Sequence, residues 1–225
     1  MDYYAQILGS DWLSLSNYVF AFVLARAAWT APWRALWRNN EQFNALIGLT
    51  LWVGALWLLP VGVHAGLKLH PLGATLFFLM FGWQIALLML AVILLVSLQY
   101  AGTGLEVFGS LGLLMIVIPI AASGLFFLLF QRFVKKNYFS FVLLNGYLCG
   151  FLTMLLVALC NGLLVVTLGS YSRFTFDNVY MAYLPIISSA ESVLTGAFIS
   201  GFAAFLPNAV AHFDQDIYFT NKPPD

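Results

Sequence analysis

The segment Pro71–Gln99 reads PLGATLFFLMFGWQIALLMLAVILLVSLQ and carries no Asp, Glu, Lys or Arg. A run of this length and polarity cannot form the surface of a water-soluble domain; it must be buried in protein, in lipid, or in both. The rest of the chain points the same way. Charged residues make up 8% of the sequence, too few to cover a surface wetted on all sides, where roughly a quarter is usual. The chain is therefore expected to be an all-α, polytopic membrane protein with the lipid bilayer as its first partner. A formal net charge of zero argues against nucleic acid as another.

A lipid-spanning helix needs about 20 apolar residues. Segments 43–63, 105–131, 138–168 and 179–207 meet that need, and 13–28 is a shorter candidate. The run 71–99 is too long for one simple helix and is interrupted at Phe81-Gly82-Trp83-Gln84. Charge counting decides how often it crosses. With Arg26, Arg34 and Arg38 in the cytoplasm, His64 and His70 lie outside. If the run turns at Gly82 and crosses twice, Arg132, Lys135 and Lys136 return to the cytoplasm, and Lys222 joins them. Seven of the nine Lys and Arg are then inside, with Lys68 and Arg173 outside. The expectation is about seven transmembrane helices, N-terminus outside and C-terminus cytoplasmic, in a bacterial inner membrane. Segment 71–81 is too short to span, so it must begin earlier or sit where protein surrounds it.

Residues 1–42 are expected to form an N-terminal helix with an interfacial end. Trp29, Trp33 and Trp37 recur every four residues beside Arg26, Arg34 and Arg38. That pairing suits a membrane–water boundary, although each Trp could equally pack on a partner helix. Ala21 and Ala25 offer a small-xxx-small face for close packing. The first residues lack a basic stretch before an apolar core, so no cleaved signal peptide is expected. Cys149 and Cys160 lie eleven residues apart on one helix, about 16 Å along its axis, too far for a disulfide.

Ionisable groups within the apolar segments are functional candidates. Glu191 sits mid-segment among Ser188, Ser189, Ser192 and Thr195; the competing reading is a helix-packing hydrogen bond. Glu106 begins the 105–131 segment, where an acid is favourable in any first turn. His64 and His70 share the outer loop and converge only if 65–69 turns, which Gly66 permits. Imidazole is a common ligand for nickel, cobalt, copper and zinc, but two histidines alone are a weak signal. His212 follows the last segment and reads as a solvated tail residue. No Walker, HExxH or CxxC motif is present.

Three stretches together resemble one family. LHPLGATLFFLMFGWQIALLMLAVILLVSLQY matches its histidine–LG–small–Thr segment, through His70, Leu72-Gly73, Thr75, the Phe81-Gly82-Trp83 break and Gln99. GTGLEVFGSLGLLMIVIP is similar to its Gly-rich turn and Gly…Met…Pro helix. LPIISSAESVLTGAFISGF is similar to its last helix, mapping Glu191 and Thr195. The pattern resembles CbiM/NikM, the substrate-binding membrane subunits of energy-coupling-factor cobalt and nickel transporters, over about residues 60–207. In that family an N-terminal histidine at position two completes a planar nitrogen set; here position two is Asp2. The family's Gly-Ala-Asn reads Gly109-Ser110-Leu111, without the asparagine.

The resemblance implies one transmembrane domain over 1–225: an additional N-terminal helix (1–42), a CbiM-like core (43–207) and a cytoplasmic tail (208–225). It implies capture of a divalent transition metal, cobalt or nickel, with copper and zinc as further options, and no organic cofactor. The resemblance singles out His70 as a ligand; His64, outside the family's pattern, is the expected replacement ligand, with Glu191, Thr195 and Glu106 along the pathway or supporting the ligands from behind. Arg34, Arg38, Arg132, Lys135 and Lys136 are expected to dock partners, a transmembrane coupling subunit and ABC ATPases, since the chain is no enzyme itself. Two rivals remain: a non-transporting assembly, anchoring or sensing subunit that lost the site, and a lipid-acting membrane enzyme using Glu191 and His70 as an acid–base pair.

Overall fold

The computed structural model describes residues 9–59, 71–167 and 180–220, and every regular element among them is helical. The order is α1 (Ser10–Thr30), α2 (Trp33–Arg38), α3 (Asn40–Leu58), α4 (Ala74–Tyr100), α5 (Leu105–Phe133), α6, α7 (Met181–Phe205) and α8 (Gln215–Thr220). The α6 helix runs on through Tyr138–Ser140, Phe141–Leu148 and Cys149–Thr167. Among the described residues four helices are long and apolar enough to cross a membrane: Ala74–Tyr100, Leu105–Phe133, Tyr138–Leu164 and Met181–Phe205. The 21-residue α1 and 19-residue α3 are of similar length but carry more polar side chains.

The α5 helix is not uniform. Leu113–Val117 is wound as a π-helix just before Pro119. Proline has no N–H to offer the preceding turn and its ring crowds the carbonyl there, so local widening relieves both problems.

The decisive feature is in α4, where Gly82 interrupts the helix at φ 79°, ψ 167°. Only glycine occupies that region readily. The chain reverses there, as its neighbours on α3 show. Gly73 lies against Val53, and the Met80 carbonyl then accepts a hydrogen bond from the Gln42 side chain at 2.9 Å. Past the break, Ile93 is back beside Gly54. The chain thus runs down α3 before Gly82 and returns up it afterwards. We refer to 74–81 as α4a and 83–100 as α4b.

Eight residues of α-helix measure about 12 Å, well short of the ~30 Å hydrocarbon core. Every residue from Leu72 to Phe81 is buried. The expected reversal at Gly82 is therefore present, and α4a sits inside protein, where membrane-depth chain ends are tolerated. Ala21 and Ala25, in contrast, face outward, so the small-xxx-small face of α1 packs against nothing within the described chain.

Candidate functional site

A short buried helix exposes a problem at each end: its first N–H groups and last C=O groups lack partners along the helix. Here both ends are met by other elements. At the start, Glu191 projects from the middle of α7, 1% exposed. Its Oε2 accepts the Leu72 N–H at 2.7 Å and its Oε1 the Gly73 N–H at 3.0 Å. The carboxyl group also lies at the N-terminal end of α4a, where the helix dipole favours negative charge. Gly73 caps α4a with φ +70°, a left-handed conformation, while an added Cβ would come within 3.1 Å of Val53. The Trp57 indole donates to the Leu72 carbonyl at 3.3 Å.

At the far end, the Ala211 N–H reaches the Met80 carbonyl at 3.0 Å and the His212 N–H reaches Leu79 at 3.2 Å. Gln42 donates a second bond to Met80. His212 is not the solvated tail residue its position suggested. Its ring stacks on Phe78 (centroids 4.6 Å) and meets Phe127 edge-on (4.8 Å), with Nδ1 3.3 Å from the Leu79 carbonyl. Burial pushes the imidazole below its ordinary range, and the Leu79 and Phe78 carbonyls pull it partly back. The segment after α7 folds under the bundle because it supplies donors that α4a cannot find elsewhere.

On its flank, α4a joins a buried polar line. The Thr75 hydroxyl meets Ser123 of α5 at 2.8 Å, and Ser123 meets Thr153 of α6 at 3.3 Å. Ser188, Glu191 and Thr195 share one face of α7. Among the described residues the buried hydroxyls of Ser188 and Thr195 have no hydrogen-bond partner.

The remaining expected residues fall as follows. His64 and His70, with Lys68 between them, lie outside the described residues. Glu191 is bonded to the amides two and three positions after His70 in sequence. Glu106 is exposed and contributes through its main-chain carbonyl, which accepts the Asn17 amide at 2.8 Å. Arg34, Arg38, Arg132, Lys135 and Lys136 are all exposed. They lie toward one end of the bundle, where Asn39 donates to the Asn208 carbonyl, Gln131 to the Tyr218 hydroxyl, and Tyr138 to the Ser200 carbonyl. Among the described residues no group of three or more His, Cys, Asp or Glu is placed to hold a metal ion.

Sequence reasoning did not find Gln42, Trp57, Asn17 or the role of His212. One overlooked signal was available. Gly146 and Gly150 form a GxxxG pair on α6, where Gly146 lies 3.2 Å, measured from an added Cβ, from the Gly196 Cα of α7. That pair lets α7 approach closely and sets where Glu191 stands.

These features define a class: a helical membrane protein built around a re-entrant half-helix whose polar ends are satisfied by neighbouring elements. The family described as the cobalt uptake substrate-specific transmembrane region, CbiM, matches residues 5–209, and the chain belongs to it. That match reaches back over α1, beyond the stretch where motifs were legible. Among solved structures, a truncated transition metal transporter superposes with a TM-score of 0.62 over 90% of this chain and 96% of that one. At 15% identity the likeness is one of fold. No curated protein matches the sequence.

Proposed function

We propose that this chain captures a divalent transition-metal ion, cobalt or nickel first, at the outer face of a bacterial inner membrane for uptake. The observation that carries the reading is the Glu191 carboxylate gripping the Leu72 and Gly73 amides, immediately downstream of His70. His70 and His64 act as ligands. Glu191 is a positioning residue: it holds the main chain at Leu72 and Gly73, just after His70 in sequence, and leaves the metal to the imidazoles. Thr195 and Ser188 offer uncommitted oxygens on the same face of α7. Glu106 would act further out, as an exposed acid that attracts cations.

The basic end is the cytoplasmic one, following the positive-inside preference. Arg34, Arg38, Arg132, Lys135 and Lys136 there dock a transmembrane coupling subunit and its ATPases. Copper and zinc are secondary candidates as substrate.

Elemental analysis of the purified protein, with cobalt and nickel titrations, tests this reading. Bound metal that disappears in His70→Ala and weakens in His64→Ala is the expected result. Metal-free protein, together with unchanged cellular metal content on deletion, would replace it with a non-transporting subunit that has kept the fold.

A further inference from the structure

The first and fifth helices meet tightly at one point and then part. A Cβ added at Gly109 would lie 2.4 Å from the Asn17 backbone, and one at Gly112 would lie 2.4 Å from the Phe20 ring. Beyond this apex, toward the basic end, α1 and α5 diverge around a cavity of about 510 Å³. One stripe of α5, from Val117 through Gly124 to Leu128, forms its length. Val23 of α1, Phe78 of α4a and Trp83 of α4b form the other walls. The lining is almost wholly apolar; the one imidazole present, His212, is turned to Phe78 and the Leu79 carbonyl.

The dimensions select the occupant. Eleven helical steps from Val117 to Leu128 cover about 16 Å, so the mean cross-section is about 30 Å². An α-helix with side chains, about 10–12 Å across, needs roughly 80–110 Å². A cleft this narrow takes a hydrocarbon chain along its floor, whereas a whole helix would have to sit over its mouth. Charge supplies the second argument. Residues 26–41 contain Arg26, Arg34 and Arg38 against one acid, Glu41. Arg26 is exposed one turn beyond Val23, where the Gln84 amide next to Trp83 donates to the Thr30 carbonyl at 3.4 Å.

We propose that the cleft between α1, α4 and α5 holds one acyl chain of an anionic phospholipid from the leaflet at the basic end, its phosphate on Arg26. The tail then packs against Phe78 of α4a and Trp83 of α4b. The proposal rests on the membrane setting and does not depend on the identity of the transported ion.

The test begins with native mass spectrometry of protein extracted from bilayers of equal phosphatidylglycerol and phosphatidylcholine. One phosphatidylglycerol retained per chain, with at least a tenfold preference, is expected. Gly124→Leu should reduce retention at least tenfold, because the Gly124 Cβ position meets only Phe78, at 3.6 Å, and a longer side chain grows into the cleft. Arg26→Gln should equalise the two lipids. A readout on the unaltered cleft covers the case in which Gly124→Leu fails to fold. Phosphatidylglycerol brominated on its acyl chain should quench Trp83 emission, taken as the difference between the parent and Trp83→Phe. Equal retention of both lipids, no quenching of Trp83, or release by inorganic phosphate alone would overturn the proposal. So would a copurifying polypeptide that shields Trp83. Metal retention should be the same in Gly124→Leu as in the parent, so failure here and failure of the metal reading are separable.

Discussion

Two of the very short helices among the described residues have opposite fates. The half-helix α4a is buried along its whole length, whereas of the six residues of α2 only Leu36 is buried. Neither could stand alone in water, where helices under about 12 residues are marginal. The α2 helix is sustained by its neighbours and by solvent: Trp33 donates its indole N–H to Ala28, and water can meet its open ends. Such help cannot reach α4a. Its ends are met instead by Glu191, from α7, and by Ala211, His212 and Gln42. The contrast shows where fixed structure is concentrated: in the buried backbone that follows His70 in sequence, not at the surface.

If that contrast is right, damage to the ends of α4a should far exceed damage to α2. Glu191→Leu should have the largest effect. It strips two buried N–H groups of their acceptor, at about 1–3 kcal/mol each, or about 2–6 kcal/mol together. Thermal and denaturant unfolding in detergent reads this directly, and Glu191→Gln, which keeps one carbonyl oxygen, should recover about half. Gly82→Ala comes next. A Cβ there meets only the Gln84 side chain, at 3.6 Å, so space is not limiting. The cost is conformational, about 1–3 kcal/mol for a side chain forced into a glycine-only region. Unfolding by both variants at the parent's midpoint would mean that α4a is not held by its ends. Gln42→Ala should cost about 1 kcal/mol or less, because Met80 keeps the bond from Ala211.

Much of this architecture is legible in the residues. Apolar runs and basic loops locate the helices to within a few positions, and charge counting requires the reversal that Gly82 makes. Glu191 stands out because a carboxylate in an apolar helix demands a partner. Its partner is harder to see. The amides of Leu72 and Gly73 belong to the main chain, and any residue offers an amide, so nothing in the side chains marks them. The same holds for the carbonyls of Leu79 and Met80, which draw Ala211 and His212 under the bundle. A histidine beyond the last apolar run reads as solvated until the half-helix whose end it covers is known. His64 and His70 lie outside the described residues, so their expected role rests on the sequence.

His212 gives a smaller, pH-dependent test at the far end of α4a. Its folded pKa lies below its ordinary value because burial disfavours the charged ring. Below the ordinary value the unfolded chain binds the proton more readily than the fold does. Stability from this group is therefore complete above the unfolded pKa and declines as pH falls through the interval toward the folded one. Protease accessibility of residues 206–220 should rise on acidification through pH 6, and His212→Phe, which keeps the stack on Phe78, should remove that dependence. An identical pH profile in His212→Phe would show that the strap is held without the imidazole.

The smallest effect belongs to α2. Arg34 is exposed on that helix, so Arg34→Ala should change unfolding stability by no more than about 0.5 kcal/mol. If the basic end docks coupling and ATPase subunits, the same substitution should reduce their copurification while the isolated chain unfolds as before. A loss above about 1 kcal/mol in the isolated chain would mean that α2 is held by contacts its exposure does not reveal. The two short helices would then differ less than their surroundings suggest. A docking loss without a stability loss would separate the two roles: α4a is held by its buried ends, and α2 presents charge to whatever binds beneath.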